Sequence, residues 1–100
     1  MDRIVWSENA KSNLKQILIY WKTKNKSDRY SEKLRVTIHQ RIDQLLIFAE
    51  MGTATNFGNV RTLVVGKNFR IFYELSKSSI IIHAIWDVRQ NPEGLKNRFK

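Results

Sequence analysis

The hydrophobic period of this chain changes once, near its middle, and that change limits the fold more than any other feature. Before residue 52 the apolar residues recur at three- and four-residue steps: Ala10, Leu14, Ile17, Leu18 and Trp21, then Tyr30, Leu34, Ile38, Ile42, Leu45 and Ala49. Each set forms one face of an α-helix. The first helix is expected over about 8–24, with Ser7 as N-cap and Glu8 in its first turn. The second starts from a cap at Ser27 or Asp28 and runs to "EMG", where Gly52 is the expected C-cap. "KTKNKSD" between them is polar and short, so the two helices form an antiparallel hairpin.

After "TATNFGN" the period becomes two. The runs "VRTLVV" (60–65), "FRIFYEL" (69–75) and "IIIHAIW" (80–86) are joined by "GKN" and "SKSS", which predicts a three-stranded antiparallel meander. Phe69, Ile71, Tyr73 and Leu75 alternate with Arg70, Phe72 and Glu74. In the last run Ile80, Ile82, Ala84 and Trp86 alternate with Ile81, His83, Ile85 and Asp87. A strand apolar on both faces is expected inside the sheet, with the hairpin covering one side. "RIVW" (3–6) is expected to join as a fourth strand. The expectation is one α+β domain over residues 1–100, its two helices on one face of a four-stranded sheet.

The chain has no cysteine, which rules out disulfides and thiolate metal sites and fits a reducing compartment. Its longest apolar runs, "ILIYW" and "IIIHAIW", fall far short of the roughly 20 residues that span a bilayer. The start, "MDRIVWSENAK", carries an acid and no long apolar run, unlike a signal peptide. A soluble, cytoplasmic protein with no membrane partner is expected. Eighteen Lys and Arg against nine Asp and Glu leave a net charge of +9. Such a balance attracts a polyanion or an acidic protein.

Candidate chemistry is sparse. No His, Asp and Glu cluster has metal-ligand spacing and there is no Gly-rich phosphate loop, so neither metal nor cofactor is expected. His83, inside an apolar strand, reads as a satisfied structural histidine, and His39, off the helical stripe, as a surface residue. Tyr73 belongs with the core set, its hydroxyl at the rim. Lys22, Lys24, Lys26 and Arg29 make a charge run at the hairpin tip, a solvated loop or a phosphate contact. The last strand ends in "WDVRQNP", where Asp87 and Arg89 can pair and Pro92 stops the sheet.

The order strand, helix, helix, three strands carries Trp6, Ala10 and Leu14, then "VRTLVVGKNFRIFYEL" and "IIIHAIWDVRQNP". Over nearly the whole chain this pattern resembles the RelE/ParE superfamily of toxins from type II toxin–antitoxin modules. The resemblance implies a bacterial growth inhibitor, held in check by a cognate antitoxin that wraps a segment around it. Two branches share the fold: ParE-like members poison DNA gyrase, and RelE-like members cut messenger RNA on the ribosome without metal. In a nuclease, Arg61, Arg70 and Arg89 would hold the scissile phosphate. For target or antitoxin binding the candidates are Arg70, Tyr73, Trp86, Asp87 and Arg89. Two departures favour the gyrase branch. Leu63 stands where the nuclease branch often has a second basic residue, and the tail "GLKNRFK" offers Phe99 but no Tyr or His for proton transfer. The nuclease remains the alternative, and a toxin-like domain without activity is a third reading.

Overall fold

The computed structural model of the chain describes residues 3–89, so Pro92 and the tail that ends in Phe99 lie outside the described residues. The elements follow in the order β1 (Arg3–Trp6), α1 (Glu8–Asn25), α2 (Asp28–Asp43), β2 (Thr53–Ala54), β3 (Val60–Val65), β4 (Phe69–Ser76) and β5 (Ser79–Asp87). The sheet runs β1-β5-β4-β3-β2. β1 lies parallel to β5 with Ile4 opposite Ile80, and every other pairing is antiparallel. The sheet therefore has five strands rather than four. The extra one is a two-residue edge strand in the "TATNFGN" segment, where Thr53 and Ala54 face Thr62 and Arg61.

Local signals set the hairpin. The Ser7 hydroxyl accepts from the Ala10 N–H at 3.0 Å and caps α1. Lys26 closes that helix in a left-handed conformation, φ 51°, and Ser27 caps α2 by accepting from the Arg29 N–H. Glu32 and Arg35, three residues apart, pair on the outer face of α2. Between the helices, the Ser31 hydroxyl donates to the Leu18 carbonyl at 3.1 Å. The buried stripe of both helices, Ala10, Ile17, Leu34, Ile38 and Ile42, packs on Leu63, Val65, Phe69, Ile71, Tyr73, Ile80, Ile82 and Ile85 of the sheet.

α2 ends earlier than its stripe suggests. The α-helix stops at Asp43, tightens into one 3-10 turn over Gln44–Leu46, and leaves Ile47 90% and Phe48 60% exposed. Tertiary hydrogen bonds hold the chain that follows. The buried Tyr73 hydroxyl donates to the Ala49 carbonyl at 2.8 Å and accepts from the Gly52 N–H at 3.0 Å. Arg61 Nη2 donates to the Glu50 carbonyl. Continued helix would withdraw those backbone groups into its own ladder. Gly52 is consequently no C-cap. It is needed for close approach, because a Cβ there would sit 2.6 Å from Tyr73 Oη and 2.8 Å from the Thr62 carbonyl.

The alternation expected along β5 breaks at one residue. Phe72 faces Ala84 while Tyr73 faces Ile82, so His83 is an unopposed bulge. Before it, Ile80 and Ile82 point to the helices; after it, Ile85 does, while Ala84 and Trp86 join Val60 and Phe72 in a second cluster on the opposite face.

These contacts generate a first prediction. Gly52→Ala should lower the unfolding free energy by about 1–3 kcal/mol or more through overpacking. Tyr73→Phe should lower it by about 1–3 kcal/mol by stranding two buried backbone groups. Urea denaturation checks both, and an unchanged midpoint in either variant would contradict this account of the turn.

Candidate functional site

Beyond Ile82, β5 has no strand beside it on the β1 side, and α1 takes that place. The ladder ends with the Ser7 N–H on the Ile82 carbonyl at 3.0 Å. The carbonyl of the bulged His83 then accepts from the Ser7 hydroxyl at 3.1 Å and from Asn9 Nδ2 at 2.9 Å. The next free amide, Ile85 N–H, donates to Asn13 Oδ1 at 3.0 Å. Two asparagines four residues apart on a helix share a face, and here they satisfy a strand edge that would otherwise be open. α1 is thereby laid lengthwise along β5.

One helical turn further, at Ile17, Tyr20, Trp21 and Lys24, α1 meets the end of β5. Because of the bulge, Asp87 faces the helices and is 4% exposed. Arg89 turns back onto it: Nε and Nη2 reach the two carboxylate oxygens at 2.7 and 2.6 Å, and the Arg89 N–H adds a third bond at 3.0 Å. These bonds raise the Arg89 pKa further above its ordinary value, against a smaller desolvation effect. The guanidinium lies 4.0 Å from the centre of the Trp21 ring. Tyr20 and Tyr30 meet Trp21 edge-on at 5.0 and 5.5 Å, and Lys24 Nζ stands 5.5 Å from the same ring. Ile17, Tyr20, Trp21, Lys24, Asp87 and Arg89 bound a cavity of about 290 Å³.

A second feature lies near the other end of α1. Leu14, Leu18 and Ile19 line an almost wholly apolar groove of about 520 Å³ between Trp6 and His39, with the exposed Lys11 and Lys15 beside it. Trp6 and His39 meet with ring centres 5.2 Å apart. His39 is therefore half-buried and part of the groove, not the free surface residue its position off the stripe suggests.

The residues expected to form one site are separated. Arg61 shares the helix-facing side of β3 with Leu63 and Val65, donates to Glu50, and has its Nε buried without a partner among the described residues. Arg70 lies on the opposite face, where it neighbours Trp86 and Val64 across the strands. Arg89 is on the helix side, past the pair Phe69–Asp87. Four residues along β4 and two strand spacings separate the Arg61 and Asp87 levels, roughly 16 Å. Among the binding candidates, Tyr73 is fully buried and Trp86 is 7% exposed, on the face away from Asp87 and Arg89. His83 does have a polar partner: its Nε2 lies 2.8 Å from Glu74 Oε1 on the open face, each side chain about one third exposed. No group of three metal-ligating side chains occurs among the described residues, and none of their helices is long and apolar enough to cross a membrane.

Sequence reasoning missed the roles of Asn9, Asn13, Tyr20, Trp21 and Lys24. A signal was present. Asn13 stands four residues before the core residue Ile17, and Tyr20 and Lys24 three and seven after it, polar and aromatic positions along the edge of the core stripe.

A family model described as the ParE toxin of the type II toxin-antitoxin system, parDE, matches residues 4–92. Among solved structures, a chain of the chromosomal ParDE TA system from P. aeruginosa is similar with a TM-score of 0.78 at 20% identity, covering 88% of this chain and 97% of that one. YafQ from E. coli strain BL21(DE3) aligns at 14% identity and a TM-score of 0.49, over 87% of this chain and 93% of that one. No curated protein matches. The ParDE likeness establishes a common fold.

The geometry at the end of β5 predicts measurable coupling. In a double-mutant cycle of Asp87→Ala and Arg89→Ala, the interaction energy should be about 1–2 kcal/mol by chemical denaturation, above the usual surface pair because Asp87 is buried. A value near zero would mean that the pair is an ordinary exposed contact.

Proposed function

The chain belongs to the ParE toxin family of type II toxin–antitoxin systems, and from that premise we propose that it is a cytoplasmic inhibitor of DNA gyrase that acts by binding rather than by catalysis. Its antitoxin, on this reading, docks along α1. The observation that carries the proposal is the separation of the three arginines. A phosphorane needs cations converging on one centre together with an acid and a base. Here Arg70 points away from the other two, and Arg89 is already engaged by Asp87. The docking part is supported by the groove at Leu14, Leu18 and Ile19, an apolar strip beside two lysines that suits an amphipathic acidic segment.

One observation favours the nuclease reading. His83 and Glu74, residue types that serve as acid and base in enzymes, are hydrogen-bonded on the same sheet face as Arg70. About 13 Å of strand separates Glu74 from Arg70, however, which is far for one phosphate to meet both.

Purified gyrase decides between them. Toxin in excess should block supercoiling of relaxed plasmid and leave messenger RNA intact in a translating extract. Full supercoiling together with fragments ending in cyclic phosphate would reverse the assignment. Ile19→Glu, a change at a half-exposed groove position, should leave inhibition intact and weaken neutralisation by the antitoxin at least about tenfold. Unchanged neutralisation would remove the groove from the docking site.

A further inference from the structure

Three depressions on α1 join end to end. The apolar groove shares Ile19 with a second depression that also takes in Gln16, Tyr20, Thr23 and Lys24. That one shares Tyr20 and Lys24 with the cavity at Arg89. The track follows a helix of 18 residues, about 27 Å long at 1.5 Å per residue. Its chemistry changes along the way, from aliphatic with Lys11 and Lys15 at the rim beside Trp6 to aromatic with Lys24 and the fixed guanidinium of Arg89.

The Arg89 end differs from the groove in holding a fixed guanidinium against an aromatic ring. Lys24 and Arg89 both line it against the single carboxylate of Asp87, so one positive charge is uncompensated within the cavity. Lys24 forms no ion pair among the described residues; its Nζ donates to the Tyr20 hydroxyl at 3.4 Å and lies 5.6 and 5.5 Å from the centres of the Tyr20 and Trp21 rings. Arg89 is held rigid by its carboxylate and its ring, yet its side chain is 39% exposed, and Nη1 is not used by Asp87. A guanidinium fixed in place binds a carboxylate with little further ordering. Trp21 Nε1 is buried and unpartnered among the described residues.

We propose that the cavity bounded by Tyr20, Trp21, Lys24 and Arg89 is a receptor for one acidic side chain of the antitoxin. That side chain belongs to a segment that lies along α1 with its apolar residues over Leu14 and Leu18. The inference rests on the docking of the antitoxin along α1. It fixes the position of one acidic residue of the bound segment at the hairpin tip, beyond the apolar residues that cover the groove. A protein carboxylate suits the site better than a nucleic-acid strand. One net charge matches one carboxylate, and the Trp21 ring on which a base would stack already carries Arg89, with Lys24 beside it.

The test compares two charge reversals of equal size on the full chain. Lys24→Glu removes the cation from the cavity; Lys77→Glu lies at the exposed β4–β5 turn, at the other end of β5. Affinity for the purified cognate antitoxin is measured by calorimetry. Lys24→Glu should weaken it about tenfold and Lys77→Glu less than about twofold. The Trp21 indole N–H resonance should move when wild-type chain binds antitoxin and move less in Lys24→Glu. Equal losses in the two variants would reduce the effect to the overall field and overturn the receptor. So would loss of single-stranded oligonucleotide binding in Lys24→Glu with antitoxin affinity intact. If Ile19→Glu loses affinity while Lys24→Glu does not, the receptor falls and α1 docking stands; if neither loses it, both fall.

Discussion

One extra residue in β5, His83, decides which face of the sheet every later side chain of that strand occupies. Without it, Asp87 would fall on the same face as Ile81, away from the helices, because strand side chains alternate with a period of two. With it, Asp87 is buried beneath α1, Arg89 folds back over Trp21, and Trp86 packs with Val60, Phe72 and Ala84 on the other side. A bulge leaves backbone groups without ladder partners. The Ser7 hydroxyl and Asn9 amide meet that need at the His83 carbonyl, so the cap of α1 and the bulge of β5 form one connected unit.

That unit fixes the course of α1 and, with it, the surface offered to a partner. Ser7, Asn9 and Asn13 pin one half of the helix to β5. The Arg89–Trp21 stack meets it again near its far end. Along the helix, its outward residues form a track that is aliphatic with a lysine rim toward Trp6 and aromatic with a fixed guanidinium toward Arg89. The whole chain carries nine more basic than acidic residues, a balance that attracts acidic partners. In this ParE-family chain Arg70 lies on the sheet face opposite Arg61 and Arg89, so the three do not converge on one centre.

Much of this was legible from the residues. The two helical stripes, the Ser7 and Ser27 caps, the meander and the addition of β1 all follow from period and turn chemistry, which are local. What was not legible depends on tertiary partners. The stripe through Leu45 and Ala49 looks helical, but the Tyr73 hydroxyl and Arg61 draw the 49–52 backbone out of the helix. "IIIHAIWD" is apolar on both faces, so nothing in its pattern marks the bulge, and both registers look equally good from composition. Arg61, Arg70 and Arg89 are evenly plausible in a line of text, yet once the strands are placed Arg70 lies on the face opposite the other two and Arg61 is far from Arg89. Asn13 looks like an ordinary surface polar residue until the unpaired Ile85 amide is seen beside it.

Methyl-resolved NMR of the chain with and without its antitoxin tests the central claim, that this protein is recognised along α1. The account predicts that the methyls of Leu14, Leu18 and Ile19 shift on binding, while those of Val64 and Ile81 on the open sheet face stay in place. Shifts confined to Val64 and Ile81, with Leu14, Leu18 and Ile19 unmoved, would contradict it.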